Sequence, residues 1–127
     1  MAHVDLDTLD VLRDVFPTTR VATVFGSTMI LSQAVTRIDA RGGCVFDPRS
    51  PYVVFRVIDP HTDEQVPYGE RGQVVMNHVS KGMFIPNNLE RDTAIRTRGP
   101  NGQVGDSVSE VTPVAVFGGE AVVEGVY

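Results

Sequence analysis

Two short stretches of the chain carry side chains of the kind that handle a ligand. Val24-Phe25-Gly26-Ser27-Thr28 closes a β-branched run with a glycine and two hydroxyl residues, which lets backbone N–H groups come close to a bound molecule. Far along the chain, Gly105-Asp106 sets a carboxylate beside a residue with no side chain. The spacing also allows plainer roles, Ser27 or Thr28 as the N-cap of a helix and Gly105-Asp106 as a turn. A third group, Asp59, His61, Asp63 and Glu64, offers cation ligands but lacks the glycine and distal glutamate of a calcium loop, so no metal is expected there.

Other catalytic constellations are thin. The three histidines and single cysteine, Cys44, form no zinc spacing and no near-sequence Cys/His pair. There is no GxSxG elbow and no GxxxxGK[ST] phosphate loop. No catalytic residue is therefore assigned. The basic residues include only one Lys, and the stretch where Arg91, Arg96 and Arg98 crowd together reads as a solvated face.

These candidates need a scaffold, and 127 residues with 42% hydrophobic and 21% charged side chains fit one folded domain. A net charge of -5 gives no general attraction for nucleic acid or an anionic membrane. The amino end, MAHVDLDTLD, has no signal-peptide pattern, and no apolar run is long enough to span a bilayer, so a cytoplasmic protein is expected.

Leu9, Leu12 and Phe16, flanked by Val11 and Val15, recur at helical spacing and predict a helix over Asp5–Phe16, ended by Pro17. A strand is predicted at Val21–Phe25, running into the first motif. Gly42, Gly43, Pro48 and Pro51 mark residues 39–51 as a linker. Beyond it the period shortens. Strands are predicted at Tyr52–Ile58 and Gln73–Val79, paired antiparallel across DPHTDEQVPYGERG, and again at Val111–Phe117 and Ala121–Val123. Pro113 suits an edge or bulge. The expected fold is α+β and mostly β. Residues 1–38 form a helix and strand, and residues 52–127 form a small, distorted antiparallel β-barrel-like subdomain.

The string VFGSTM resembles the tyrosine-glycine-x-threonine-glutamate motif of the acyl-adenylate-forming superfamily, which includes acyl-CoA synthetases, peptide-synthetase adenylation domains and luciferases. VIDPHTDEQVPYGERGQVVM is similar to the family segment that leads into a barrel strand, and GQVGDSVSEV resembles its later threonine-glycine-aspartate motif. The three occur in the family's order over residues 20–117. VSKGMFIPNNLERDTAIR and VVEGVY look closest to phenylacetate-CoA-ligase-like proteins and the adenylating proteins of phenazine antibiotic biosynthesis.

The resemblance implies ATP or AMP as ligand, with Phe25 stacked on adenine, Gly26 admitting the backbone, and Ser27 and Thr28 reaching phosphate or carboxylate oxygens. It gives Asp106 the ribose hydroxyls, with Gly105 making room for the sugar. The parent reaction would join a carboxylic acid and ATP into acyl-AMP and pass the acyl group to a thiol such as coenzyme A. Departures limit this. Met29 stands where the family places a magnesium-binding glutamate, and Val104 where it has threonine. The family's phosphate loop and its lid domain with a catalytic lysine have no counterpart here. The chain is thus expected to be an inert fragment that works with a separate amino-terminal adenylating subunit or as a homo-oligomer. The alternative is a non-catalytic β-barrel binding module descended from such an enzyme.

Overall fold

The computed structural model describes Val4, residues 6–117 and residues 119–121. Helix α1 (Leu6–Val15) follows the predicted period, although Asp5 lies outside the described residues. Of its side chains only Leu9 is buried; Val11, Val15 and the following Phe16 are exposed, so the helix meets the core through one turn rather than its whole apolar stripe. Arg13 ties it down, donating to the Gly42 carbonyl at 3.1 Å.

The strand expected at Val21–Phe25 is not formed. Its β-branched residues run without a ladder partner, and its carbonyls are used singly: Thr23 accepts the Thr36 hydroxyl at 2.7 Å and Phe25 the Ala34 N–H at 2.8 Å. Pairing starts at the glycine instead. β1 (Gly26–Ser27) and β2 (Ser32–Gln33) make a two-residue antiparallel hairpin.

The body of the protein is one six-stranded antiparallel sheet of β3 (Val35–Ile38), β4 (Cys44–Asp47), β5 (Val53–Ile58), β6 (Arg71–Ser80), β7 (Met83–Thr97) and β8 (Ser107–Pro113). Its order is β3-β4-β8-β7-β6-β5. The sheet curls into a half-barrel, and the Asp106 N–H donates to the Phe55 carbonyl at 2.9 Å, linking outer strand β5 back to the start of β8. β5 and β6 pair antiparallel in unbroken register from Val53–His78 to Ile58–Gln73, as the hairpin reading expected.

The expected linker, residues 39–51, contains β4, all four residues of which are buried. Glycines and prolines do bracket this segment, but between them Cys44-Val45-Phe46-Asp47 is short enough to be a completely covered strand, packed between β3 and β8. The region read as Val111–Phe117 is split: β8 stops at Pro113, and β9 (Val116–Phe117) pairs with β10 (Glu120–Ala121). The rest of the strand expected at Ala121–Val123 lies outside the described residues.

β7 is long because bulges let it bend. The register with β6 shifts between Met76–Asn88 and His78–Ile85, which leaves Pro86 and Asn87 unpaired in the ladder. A proline has no N–H to contribute there, and Asn87 takes a positive φ of 54° while its N–H donates to the Asn77 side chain at 2.8 Å.

The core gathers Phe25, Phe46 and Phe55 with Leu9, Ile30, Val53, Val57, Val74, Met76, Ala94 and Val108. The Phe25 ring lies 5.5 Å from Phe46 and 5.8 Å, edge to face, from Phe55. Burial of each such ring contributes about 1.5–3 kcal/mol, and an aromatic pair about 0.5–1.5 kcal/mol more.

Candidate functional site

The polar residues worth following lie where β8 begins. Gly105 precedes it with φ +83°, and a Cβ added there would run into the Val54 side chain and come within 2.8 Å of the Phe55 carbonyl. Only glycine fits this close passage at a left-handed dihedral. The turn delivers Asp106 and Ser107 to the interior, 2% and 0% exposed.

Asp106 is fully engaged there. Its Oδ1 accepts from Arg96 Nε at 2.9 Å and its Oδ2 from Gln65 Nε2 at 3.1 Å. Arg96 also donates to the Val66 carbonyl at 2.7 Å, and its guanidinium carbon stands 4.1 Å from the centre of the Tyr68 ring. Arg98, two residues on, lies at the same distance from that ring. A second carboxylate neighbours this one. Asp47, at the end of β4, receives the Ser107 hydroxyl together with Arg37 Nε at 3.0 Å and Nη2 at 3.1 Å. Gln103 Nε2 donates to Ser107 Oγ at 3.0 Å. The hydrogen bond to Asp47 raises the Arg37 guanidinium above the usual arginine range; burial opposes that, and the charges of Asp47 and Asp39 reinforce it. Two bonds from one guanidinium to one carboxylate make the strong, directional form of ion pair.

The residues singled out from sequence are thus placed unequally. Phe25 is 2% exposed within the aromatic core, so its ring is a packing element and not a surface on which adenine can stack. Gly26 permits close passage, since a Cβ there would meet the Ser32 carbonyl at 2.6 Å. Ser27 Oγ accepts the Met29 N–H at 3.3 Å, a local turn bond, and Thr28 is exposed beside it. His78 Nδ1, which must carry the proton to meet a carbonyl, donates to Ile30 at 2.7 Å and fixes this turn. Asp59 accepts the His61 N–H at 2.8 Å, so the acidic group of that loop serves a turn. Among the described residues no group of three or more His, Cys, Asp and Glu is arranged to hold a metal ion.

The two motifs do converge on one residue. Phe25 packs on the Phe55 ring while Asp106 pairs with the Phe55 backbone. Neither of the two main cavities joins them, however. A cavity of about 860 Å³ between α1, residues 21–25 and the β4–β8 face includes Phe25 in its lining, whereas one of about 550 Å³ is lined by residues 48–51 and 101–104, just before Gly105.

Composition and spacing missed Asp47, Gln65, Ser107 and the role of Arg96. The Arg91, Arg96 and Arg98 cluster read as a solvated face, yet the Arg96 side chain is only 15% exposed. Its signal was faint: alternation in Ala94-Ile95-Arg96 places Ala94 and Arg96 on the same side of β7. Comparison with protein-family models finds none that matches the chain, and comparison with curated proteins finds no relative. Among the described residues no helix is long and apolar enough to cross a membrane.

Proposed function

We propose that this chain is the carboxy-terminal part of an acyl-adenylate-forming core and is catalytically inert alone. In the parent reaction a carboxylic acid and ATP give acyl-AMP, and the acyl group then passes to a thiol such as coenzyme A. The observation that carries this reading is that Phe25 of the first motif and Asp106 of the second meet on Phe55, although they are far apart in sequence. Inertness follows from the groups present. Activating a carboxylate requires charged groups positioned around the reacting phosphate, and neither motif offers a free carboxylate or lysine for that purpose.

The test is ATP–pyrophosphate exchange with aryl and fatty acids, measured on the chain alone and on a fusion. In the fusion the chain replaces the corresponding segment of an active acyl-adenylate-forming enzyme. No exchange by the chain and restored exchange in a folded fusion is the expected pair of results. Turnover by the chain alone would refute inertness, and a folded but inactive fusion would refute the reading of the chain as a working part of such a core.

One observation favours a second reading, a non-catalytic half-barrel module. Both Asp106 oxygens are bonded internally, so a ribose would have to displace Arg96 or Gln65 to reach them. That reading gains if the fusion folds without binding AMP.

A further inference from the structure

We propose that Arg96 and Arg98, which stack on Tyr68, form a receptor for a phosphate group together with the neighbouring Arg37. The arrangement separates charge by depth. Asp47 and Asp106, which balance Arg37 and Arg96, are buried at 8% and 2% exposure, while the Arg37 side chain is 39% exposed and Arg98 lies at the surface. The outer face therefore presents guanidinium groups, with Asp47 and Asp106 beneath them and the exposed Asp39 near Arg37. Arg37 Nη2 reaches the Arg98 backbone carbonyl at 3.5 Å, which brings Arg37 to the chain segment that carries Arg98.

Arg98 is the uncompensated member. Among the described residues no carboxylate lies within ion-pair distance of it; its ordering comes from the Tyr68 ring. That ring sits on a pinned turn: the Gly69 N–H donates to the Arg96 carbonyl at 2.8 Å, and the Arg96 N–H donates to the Glu70 carbonyl at 2.9 Å. A guanidinium stacked on a fixed ring loses less rotamer freedom when it binds, and its free N–H edge suits phosphate oxygens. In a protein of net charge -5, such binding must rest on this local group and weaken as salt rises.

The experiment is an NMR titration of the ¹⁵N-labelled full chain at low ionic strength with inorganic phosphate, AMP, adenosine and acetate. Phosphate and AMP are expected to shift the Arg96 and Arg98 side-chain N–H signals and the Tyr68–Glu70 amides saturably, whereas adenosine does not and acetate binds more weakly. Arg98→Gln, an exposed change, should weaken phosphate binding about tenfold or more, the loss of one charged hydrogen-bonding group. Absence of saturable shifts, equal affinity for adenosine and AMP, equal affinity for acetate and phosphate, or an Arg98→Gln variant that binds as wild type would each overturn the proposal. The measurement is made on the isolated chain and is separate from the exchange test of its ancestry.

Discussion

Replacing Arg96 with methionine keeps an unbranched aliphatic stem but removes the guanidinium and strands Asp106 as a buried carboxylate. Three interactions go together: the bond to Asp106 at 2.9 Å, the bond to the Val66 carbonyl at 2.7 Å and the stack on Tyr68 at 4.1 Å. With Arg96 15% and Asp106 2% exposed, the relevant magnitude is that of a buried pair broken from one side, about 3–5 kcal/mol. For a chain of 127 residues, with an unfolding entropy near 2.1 cal/mol/K per residue, that lowers Tm by roughly 10–20 °C. Urea denaturation followed by circular dichroism measures it directly. Arg96→Met/Asp106→Asn should recover a substantial part of the loss, because the amide removes the stranded charge and can still accept from Gln65. A single-variant cost below about 1 kcal/mol, the size of a surface pair, would refute this account of the network. So would strict additivity in the double variant.

Phe25→Ala should cost about 3–5 kcal/mol in the same denaturation experiment, as expected for a ring deleted from the core; a near-neutral result would reopen a ligand-facing role. Gly105→Ala should destabilise by at least about 1–3 kcal/mol, since strain at positive φ is joined by collision with Val54. Gly69→Ala, at φ +89° but in open space, should cost only about 1–2 kcal/mol, and equal thermal shifts for the two glycines would contradict the close passage. For Arg37 the sign follows from its raised pKa: the stabilisation it gives is complete below the ordinary arginine range and is lost only as pH rises through the raised value. The stability gap between wild type and Arg37→Gln should accordingly stay constant from about pH 6 to about pH 10, as checked by urea midpoints at each pH.

Periodicity made some elements legible and concealed others for definable reasons. α1, β5 and β6 were legible because α1 and β5 are apolar at the expected period, β6 is a dense apolar run, and they end at clear breakers such as Pro17 or the Asp59–Pro60 turn. β7 was hidden. Met83-Phe84-Ile85-Pro86-Asn87-Asn88 contains a proline and two asparagines that speak against a strand, and only the bulge opposite Asn77 makes room for them. β4 was hidden by its flanks, since four buried residues between a glycine pair and a proline give no period to read. At the site, Asp106 was found through motif resemblance, but its partners were not. Gln65 lies in a loop, Arg96 on β7 and Asp47 on β4, and only the curl of the sheet brings the first two to Asp106 and the third to the neighbouring Ser107. Phe25 shows the converse limit: an aromatic before a glycine looks the same in sequence whether its ring faces a ligand or the core.

The hydrogen bond from Asp106 to Phe55 also bears on the order in which the chain can assemble. β5, β6, β7 and β8 follow one another as neighbours, so each pairing closes a short loop and costs little chain entropy. Two joins do not share that advantage: β4 must find β8, and Phe55 must find Asp106, across the whole intervening meander. Contacts of long sequence separation are slow to form. The meander is therefore the early unit, and the burial of Asp106 belongs to the late step that turns a row of hairpins into a curled, closed-off sheet.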